Sequence, residues 1–270
     1  MVIPIHDENP LRRRPIVTWS LIAVNIAVFL AEPSTVTHLG SHTAETVRQA
    51  CHEAAFFDQH AAIPRELIHN HVLGAHHHSF DTSLGTVDCP DITEHGKIPF
   101  LSVLEAMFLH ASWAHLLGNM LYLLIFGNNV EDRMGRVPFL GFYVLCGYVA
   151  AYGFALGNQD STVAILGASG AIAGVLGAYL VVFPGARVTS ILVVIPVRLP
   201  AWVVLGGWFL LQWAYLGGSG DAAGAGVAYL AHVYGFLAGA FIALLLRRYL
   251  TTVRTHDPWH RVVHGGYPGR

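Results

Sequence analysis

Long apolar stretches separated by short polar connections run through most of the chain. A helix needs about 20 mostly apolar residues to cross a bilayer, and a backbone in lipid must satisfy its own hydrogen bonds, which favours helices. The pattern therefore predicts an all-α, polytopic membrane protein with six membrane-spanning helices. We place the spans at residues 15–31, 115–127 (which can extend backwards through 101–109), 138–156, 167–183, 200–216 and 227–246.

Arginine in the short connections indicates which side of the bilayer each one faces. Short loops rich in Lys and Arg stay in the cytoplasm. Arginines precede the first span, follow the second and sixth, and separate the fourth from the fifth, whereas residues 158–163 and 217–226 contain neither Lys nor Arg. This arrangement predicts that both termini are cytoplasmic, and we expect the plasma (inner) membrane.

The spans divide the chain into five predicted segments. These are a cytoplasmic N-terminal segment (1–14), the first transmembrane helix (15–31), an extracytoplasmic loop (32–97), a core of five further spans (98–248) and a cytoplasmic tail (249–270). The loop is much longer than a usual connection, which marks it as functional or disordered. It holds ten of the 17 histidines and two of the three cysteines.

Composition agrees with a bundle in lipid. Only 12% of the residues are charged and 54% are hydrophobic, whereas a soluble domain carries about 25% charged residues. Many of the 28 glycines lie inside apolar stretches, where small residues let membrane helices approach closely. A net charge of −2 offers no basic surface for nucleic acid.

A serine stands at the start of the fourth predicted span, in the sequence Gly167-Ala168-Ser169-Gly170. The first backbone N–H groups of a helix are unpaired and lie at the positive end of its dipole. Such groups can stabilise an oxyanion. Considered alone, Ser169 is better explained as a simple helix N-cap, which is common.

A histidine lies inside the sixth predicted span. An ionisable residue within a membrane span is costly and usually functional. His232 borders a strip formed by Ala231, Gly235 and Gly239, which repeat every four residues and share one face. Packing of this strip against the glycines of span four would bring His232 to Ser169, and a serine beside a histidine is the minimal activated nucleophile.

A third polar cluster opens the second predicted span. His115 and Asn119 are four residues apart and therefore project from one helical face. An imidazole and an amide on one face can stabilise a developing negative charge. Hydrogen bonding between helices is the simpler explanation when this pair is considered alone.

Together these clusters resemble the rhomboid family of intramembrane serine proteases. Order and spacing agree over about residues 99–246, with the first span in addition. The matching features are His-x-x-x-Asn at His115 and Asn119, Gly-x-Ser-Gly at 167–170, Ala-His-x-x-Gly at 231–235, and Phe126-Gly127 followed by Glu131, Arg133 and Gly135.

The resemblance implies a six-helix bundle with a Ser–His dyad below the membrane surface. Ser169 would be the nucleophile and His232 the general base and acid, while His115, Asn119 and the backbone N–H of Ser169 would form the oxyanion hole. The implied substrates are single-span membrane proteins, cut in or near the span, and no metal or cofactor is expected. The supporting glycines would be Gly167, Gly170, Gly235 and Gly239.

Two features depart from the family pattern. Some members carry an aromatic residue, packed on the catalytic histidine, where this chain has Ala173. The Trp-Arg signature that some bacterial members have in the first loop is absent, and the histidine-rich loop stands in its place. What orients His232 is therefore left open, as are the substrate's identity and the oligomeric state.

Other classes fit less well. A non-proteolytic relative that binds and escorts membrane proteins is the alternative, although such relatives usually lack the serine or the histidine. Residues 218–221 match the Gly-x-Gly-Asp of intramembrane aspartyl proteases, but that chemistry needs two carboxylates and no second aspartate lies in a span. His52-Glu53 lacks the second histidine of a zinc metalloprotease motif, and a transporter would need a charged pair at mid-membrane.

The long loop also permits a metal site or a disulfide. His38 and His42 are four residues apart and residues 76–78 are histidines, but the spacing defines no tetrahedral site, so a solvated, partly disordered loop is favoured. Cys51 and Cys89 are the loop's only cysteines. Because the loop should face an oxidising compartment, we predict a disulfide between them, whereas Cys146 in span three should be a buried packing residue.

Overall fold

Helices account for most of the computed structural model, which describes residues 2–33, 44–74, 79–82, 85–89, 96–192, 195–216 and 228–252. A π-helical segment, Leu123–Gly127, joins α5 to α6. In chain order the elements are β1 (Val2–Asp7), α1 (Ile16–Ala31), α2 (Ala44–His60), α3 (Pro64–His69), β2 (Ser79–Thr82), β3 (Gly85–Asp88), α4 (Pro99–Ala106), α5 (Trp113–Tyr122), α6 (Asn128–Met134), α7 (Arg136–Gly157), α8 (Ser169–Val182), β4 (Arg187–Leu192), β5 (Ile195–Pro200), α9 (Ala201–Leu216), α10 (Tyr229–Leu245) and α11 (Arg247–Thr252).

Helical structure occurs at each of the six predicted spans. Within the described ranges, α7, with 22 residues, is the one helix that is both long and apolar enough to cross a bilayer. Helices α1, α8, α9 and α10 are apolar but contain 16, 14, 16 and 17 residues. The second predicted span is divided among α5, the π-helical segment and α6. A mostly helical fold is therefore observed, and the count of six spans stays a prediction.

Helix α8 lies at the centre of the bundle and packs most extensively against α10 and α7. Its contact with α10 is made backbone against backbone, because a Cβ added at Gly235 would overlap the carbonyl oxygen of Gly170 and one at Gly239 would overlap that of Gly174. Small residues permit such an approach between helices. The two elements that carry Ser169 and His232 therefore have a tightly specified relative position.

The all-α prediction missed a small sheet. Strands β1, β4 and β5 form an antiparallel sheet in that order, with Val2 opposite Leu192 and Arg187 opposite Pro200. The segment between spans four and five is rich in Val and Ile, which favour strands. Pairing with β1 ties the predicted N-terminal segment to the connection after α8.

Helix α1 is anchored at its N-terminus by a carboxylate from α6. Pro15 stands at the N-cap without a side-chain cap bond. Instead, Glu131 accepts hydrogen bonds from the backbone N–H groups of Val17 and Thr18 at 3.0 and 2.7 Å and from the Thr18 hydroxyl at 2.8 Å. These bonds satisfy helix N–H groups that have no intrahelical partner.

The described part of the long loop is folded, in contrast to the expected solvated and partly disordered loop. It contains α2, α3 and a β2–β3 hairpin, and a disulfide joins Cys51 to Cys89 with a Cα–Cα distance of 5.5 Å. Lys97 Nζ lies 2.7 Å from Glu66 Oε2, with both side chains buried. The histidines at 38, 42 and 76–78 lie outside the described residues, so the metal hypothesis for them stays untested.

Residues just after α2 attach this loop to the segment that precedes α8. Ala62 and Ile165 form an antiparallel bridge, with N–H···O distances of 3.1 and 2.8 Å. The backbone N–H of Arg65 also donates to the carbonyl oxygen of Ser161 at 3.1 Å. The loop is therefore part of the wall around the start of α8.

Candidate active site

Ser169 is the first residue of α8, and His232 lies in the first turn of α10. Their side chains are in hydrogen-bond contact, with 2.8 Å between His232 Nε2 and Ser169 Oγ. His232 is buried. The structure thus brings together two residues that are 63 positions apart in the chain.

His115 and Asn119 of α5 face the turn that leads into α8. Gly167 has a φ of +113°, and a Cβ added there would lie 2.7 Å from His115 Nε2 and 3.7 Å from Asn119 Nδ2. Glycine is needed at Gly167 both for this left-handed backbone and for the space. Ser112 caps α5 by accepting from the backbone N–H of His115 at 3.2 Å, which fixes the start of the helix.

The Asn119 amide is a buried donor for which the described residues offer no acceptor. Its Nδ2 has no hydrogen-bond partner within the described residues, and its side chain is buried. Leaving a buried donor unpaired costs about 1–3 kcal/mol. A buried polar group without a protein partner calls for an explanation, and a catalytic role is one of those available.

A cavity of about 40 Å³ opens beside Ser169. Its size admits only a small group. A larger open groove of about 590 Å³ lies between α1 and α5, but every side chain that lines it is apolar, so it offers no catalytic chemistry. The smaller cavity is lined mainly by alanine and glycine, among them Ala62, Ala106, Gly147, Gly167 and Ala231.

Two side chains from α9 complete the surroundings of His232, and sequence reasoning missed both. Gln212 Oε1 lies 2.8 Å from His232 Nδ1. The Trp208 ring lies 5.8 Å from the imidazole, centroid to centroid, at 36°. The available signal was a lone amide within an otherwise apolar helix, since polar residues in such helices commonly bond across to a neighbour.

The comparison with known families agrees with this geometry. A family model described as "Rhomboid domain" matches residues 99–249, more than half of the chain. The chain belongs to the rhomboid family. The predicted resemblance is thereby confirmed, and membership makes the chain an integral membrane protein of a family that acts on membrane proteins within the bilayer.

Two rhomboid relatives show local similarity. "RHOMBOID-like protein 6, mitochondrial" of Arabidopsis thaliana is 37% identical over 78 residues, which is 29% of this chain and 25% of that protein. "Rhomboid protein 1, mitochondrial" of Saccharomyces cerevisiae is 34% identical over 107 residues, 38% of this chain and 30% of that protein. The chain therefore spans less than a third of the length of either relative.

Next to the rhomboid site lies a third histidine, His110, whose ring is 5.0 Å from that of His115. Burial lowers the pKa of His110 to about 4, and the backbone N–H of His110 donates to Glu32 Oε1 at 3.2 Å. Burial likewise raises the pKa of Glu32 to about 7. Desolvation thus favours the uncharged forms of both groups beside the site.

The described parts of this rhomboid bear on the metal alternative but not on the aspartyl-protease match. Those parts contain no cluster of three His, Cys, Asp or Glu side chains that could hold a metal ion. Asp221, which carried the Gly-x-Gly-Asp match, lies outside the described residues. Cys146 is a free, buried cysteine in α7, as the packing interpretation expects.

Proposed function

We propose that this rhomboid is an intramembrane serine endopeptidase that cleaves single-span membrane proteins in or near their transmembrane segment. The proposal rests chiefly on the 2.8 Å contact between His232 Nε2 and Ser169 Oγ at the start of a buried helix. A histidine at this distance can accept the serine proton as general base.

The reaction follows from these positions. Ser169 Oγ attacks the scissile carbonyl carbon while its proton passes to His232 Nε2, and a tetrahedral oxyanion forms. His232 then donates this proton to the departing amine, which leaves an acyl-enzyme. A water molecule, deprotonated by the same imidazole, then attacks the ester carbonyl; the acyl–oxygen bond breaks, and His232 returns the proton to Ser169 Oγ.

The oxyanion would be held by the backbone N–H of Ser169 together with Asn119 and His115. The unpaired Asn119 Nδ2 and the position of His115 Nε2 against Gly167 support this assignment. In serine hydrolases, removal of one such donor costs roughly 2.7–4 kcal/mol of transition-state stabilisation. Gly167, Gly170, Gly235 and Gly239 support the site by keeping the backbones close.

The small cavity supports a preference for substrates with a small residue next to the scissile bond. Helices rich in small residues also unwind at lower cost, because glycine weakens a helix by roughly 1 kcal/mol relative to alanine. The resemblance implies the same class of substrate. Neither metal nor cofactor has a part in the proposed reaction.

Decisive evidence would come from reconstituting the full chain in liposomes with a model single-span substrate. We expect cleavage by the wild type and none by Ser169→Ala or His232→Ala, with non-additive effects in the double variant because the pair acts as a unit. Ser20→Ala, an exposed serine on α1, is the matched control.

The alternative, a non-proteolytic rhomboid that binds membrane proteins, predicts a different result. The wild type would then bind the model substrate without cutting it, and a fluorophosphonate probe would not label Ser169. Wild-type turnover in Ser169→Ala would refute the serine mechanism.

We also propose six spans, with both termini in the cytoplasm and the long loop outside, in a plasma (inner) membrane. The arginine distribution supports this orientation. The two relatives named above are mitochondrial proteins by name. Which membrane holds this protein is therefore to be measured directly, by fractionation of cell membranes. Cysteines introduced at Gln159 and Arg187 should react with a membrane-impermeant thiol reagent from opposite sides of the bilayer. The native free thiol, Cys146, is buried and should add little background. Labelling of both positions from one side would refute the six-span topology.

A further inference from the structure

Gln212 on α9 is an uncharged third partner of the dyad. Its Oε1 lies 2.8 Å from His232 Nδ1, while the other ring nitrogen, Nε2, lies 2.8 Å from Ser169 Oγ. Both nitrogens of one imidazole are thus engaged by partners on two different helices. The aromatic residue that some rhomboids use to orient this histidine is replaced here by Ala173.

The chemistry of the two partners determines the tautomer. A neutral imidazole has one N–H donor and one acceptor nitrogen. An amide oxygen can only accept, so its contact with His232 requires the proton on Nδ1. The lone pair then lies on Nε2, which faces the Ser169 hydroxyl and can remove its proton. The other tautomer would point an N–H at Ser169 and could not act as base.

Packing between α9 and α10 determines where the amide stands. Trp208 and Gln212 are four residues apart and lie on one face of α9. Trp208 packs against His232, and Phe209 stacks on Phe236 with a centroid distance of 4.6 Å. These ring contacts lie within one helical turn of the His232–Gln212 bond on both helices. Across the site, His115 of α5 is another titratable side chain, and it lies against Gly167 at the turn before α8.

We propose that Gln212 is a positioning residue that holds His232 in the tautomer and orientation needed for general-base catalysis, with Trp208 packing on the same ring. This inference rests on the proposed protease function. It assigns to α9 the role that a carboxylate fills in a Ser-His-Asp triad. An amide carries no charge, so it orients the imidazole but stabilises the imidazolium less than a carboxylate does.

The test compares Gln212→Met, which keeps the length but removes the acceptor, with Gln212→Glu, which keeps an acceptor and adds charge. In triads, a wrong tautomer costs roughly 10⁴-fold in kcat, and an uncharged partner should contribute less. We therefore expect Gln212→Met to lower kcat by about 10- to 100-fold with KM nearly unchanged. Leu210→Met, at an exposed position of α9, is the matched control and should behave like wild type.

The glutamate variant separates positioning from simple packing. We expect Gln212→Glu to regain at least part of the lost kcat and to move the acid limb of the pH–rate profile to higher pH. The reason is that a carboxylate stabilises the imidazolium, so a higher pH is needed to keep His232 neutral. Thermal unfolding in detergent should be similar for all three variants.

Two results would overturn the inference. One is wild-type kcat and an unchanged pH profile in Gln212→Met. The other is a loss in Gln212→Met that appears in KM or in the unfolding temperature and that glutamate does not relieve, which would make Gln212 a structural residue.

Imidazole ¹⁵N spectra of the full chain give an activity-independent measure, with His232→Ala used to assign the signal. We expect the Nδ1–H tautomer in wild type and its loss in Gln212→Met. If neither the wild type nor any variant cleaved substrate but the tautomer changed in this way, the protease function would be refuted while the positioning role stood. If the wild type were active and Gln212→Met showed the same tautomer as the wild type, the positioning role alone would be rejected.

Discussion

Replacement of Gly235 by alanine should misplace the catalytic histidine. Gly235 lies three residues after His232 in α10 and faces the carbonyl oxygen of Gly170, next to Ser169 in α8. The added methyl group would overlap that oxygen and lie 3.4 Å from the Cβ of Ala173. Because the obstructing atom belongs to the backbone of a buried helix, no side-chain rotation can relieve the overlap, and the two helices must separate.

The size of the effect follows from the contact distances. Relief of the overlap requires a displacement of about 1 Å, since non-bonded carbon and oxygen atoms need a separation of more than about 3 Å. The His232 Nε2–Ser169 Oγ distance would then rise from 2.8 Å to about 3.8 Å, which is beyond hydrogen-bond range. A misplacement of this size costs roughly 100-fold in rate, or about 2.7 kcal/mol of activation free energy.

Initial rates of cleavage of a single-span substrate in liposomes, together with labelling of Ser169 by a fluorophosphonate, measure this loss. Gly141→Ala is the matched control, because a Cβ at this exposed position of α7 meets no atom within 4 Å. We expect Gly141→Ala to cleave at the wild-type rate. If Gly235→Ala kept a rate within threefold of wild type, α10 would tolerate the displacement and the reasoning from close packing would be wrong.

Four further changes have defined outcomes. Asn119→Ala should lower kcat by roughly 10²–10³-fold; an unchanged rate would remove this amide from the oxyanion hole. Glu131→Gln should lower the free energy of unfolding in denaturant titrations by about 1–3 kcal/mol, because it leaves helix N–H groups without a carboxylate, and equal stability would contradict the capping role. The raised pKa of Glu32 means that the folded state keeps a proton that the unfolded chain loses. The free energy of unfolding should therefore fall as pH rises from 4.5, the ordinary pKa of a glutamate, to about 7; Glu32→Gln should remove that slope. Mass spectrometry of non-reduced peptides should find the Cys51–Cys89 disulfide. Its loop closure contributes at most about 4 kcal/mol to the free energy of unfolding. The variant with both cysteines replaced by serine should therefore unfold at a lower temperature, with turnover largely kept.

Apolar runs were sufficient to locate the helices that carry the site. The start of α8 at Ser169 was visible as a small-residue motif at the head of an apolar stretch, and His232 was visible as an ionisable residue inside another. Both signals are local, since they depend on which residues are neighbours in sequence. The Cys51–Cys89 disulfide was equally predictable from the sequence, because the predicted topology places only two cysteines on the oxidising side.

Strand β1 and the fold of the long loop could not be predicted from local sequence patterns. Nothing in residues 2–7 indicates that they pair with a strand that begins near residue 187. The bridge between Ala62 and Ile165 likewise joins segments about a hundred positions apart. A short strand without strict alternation carries little periodic signal, so its partner is selected by the packed bundle that brings the two segments together.

The amino-acid sequence by itself determined the family, the nucleophile and base candidates, and the helices on which they lie, because side-chain type and helical period are local properties. Only the tertiary structure decided that Gln212 and Trp208 flank His232, and that Asn119 lies beside Gly167 with its Nδ2 unpaired among the described residues. These contacts depend on the rotation and depth of α9 and α5 relative to α8 and α10. Helix rotation and depth result from side-chain interlocking between helices, which no pattern along a single helix specifies.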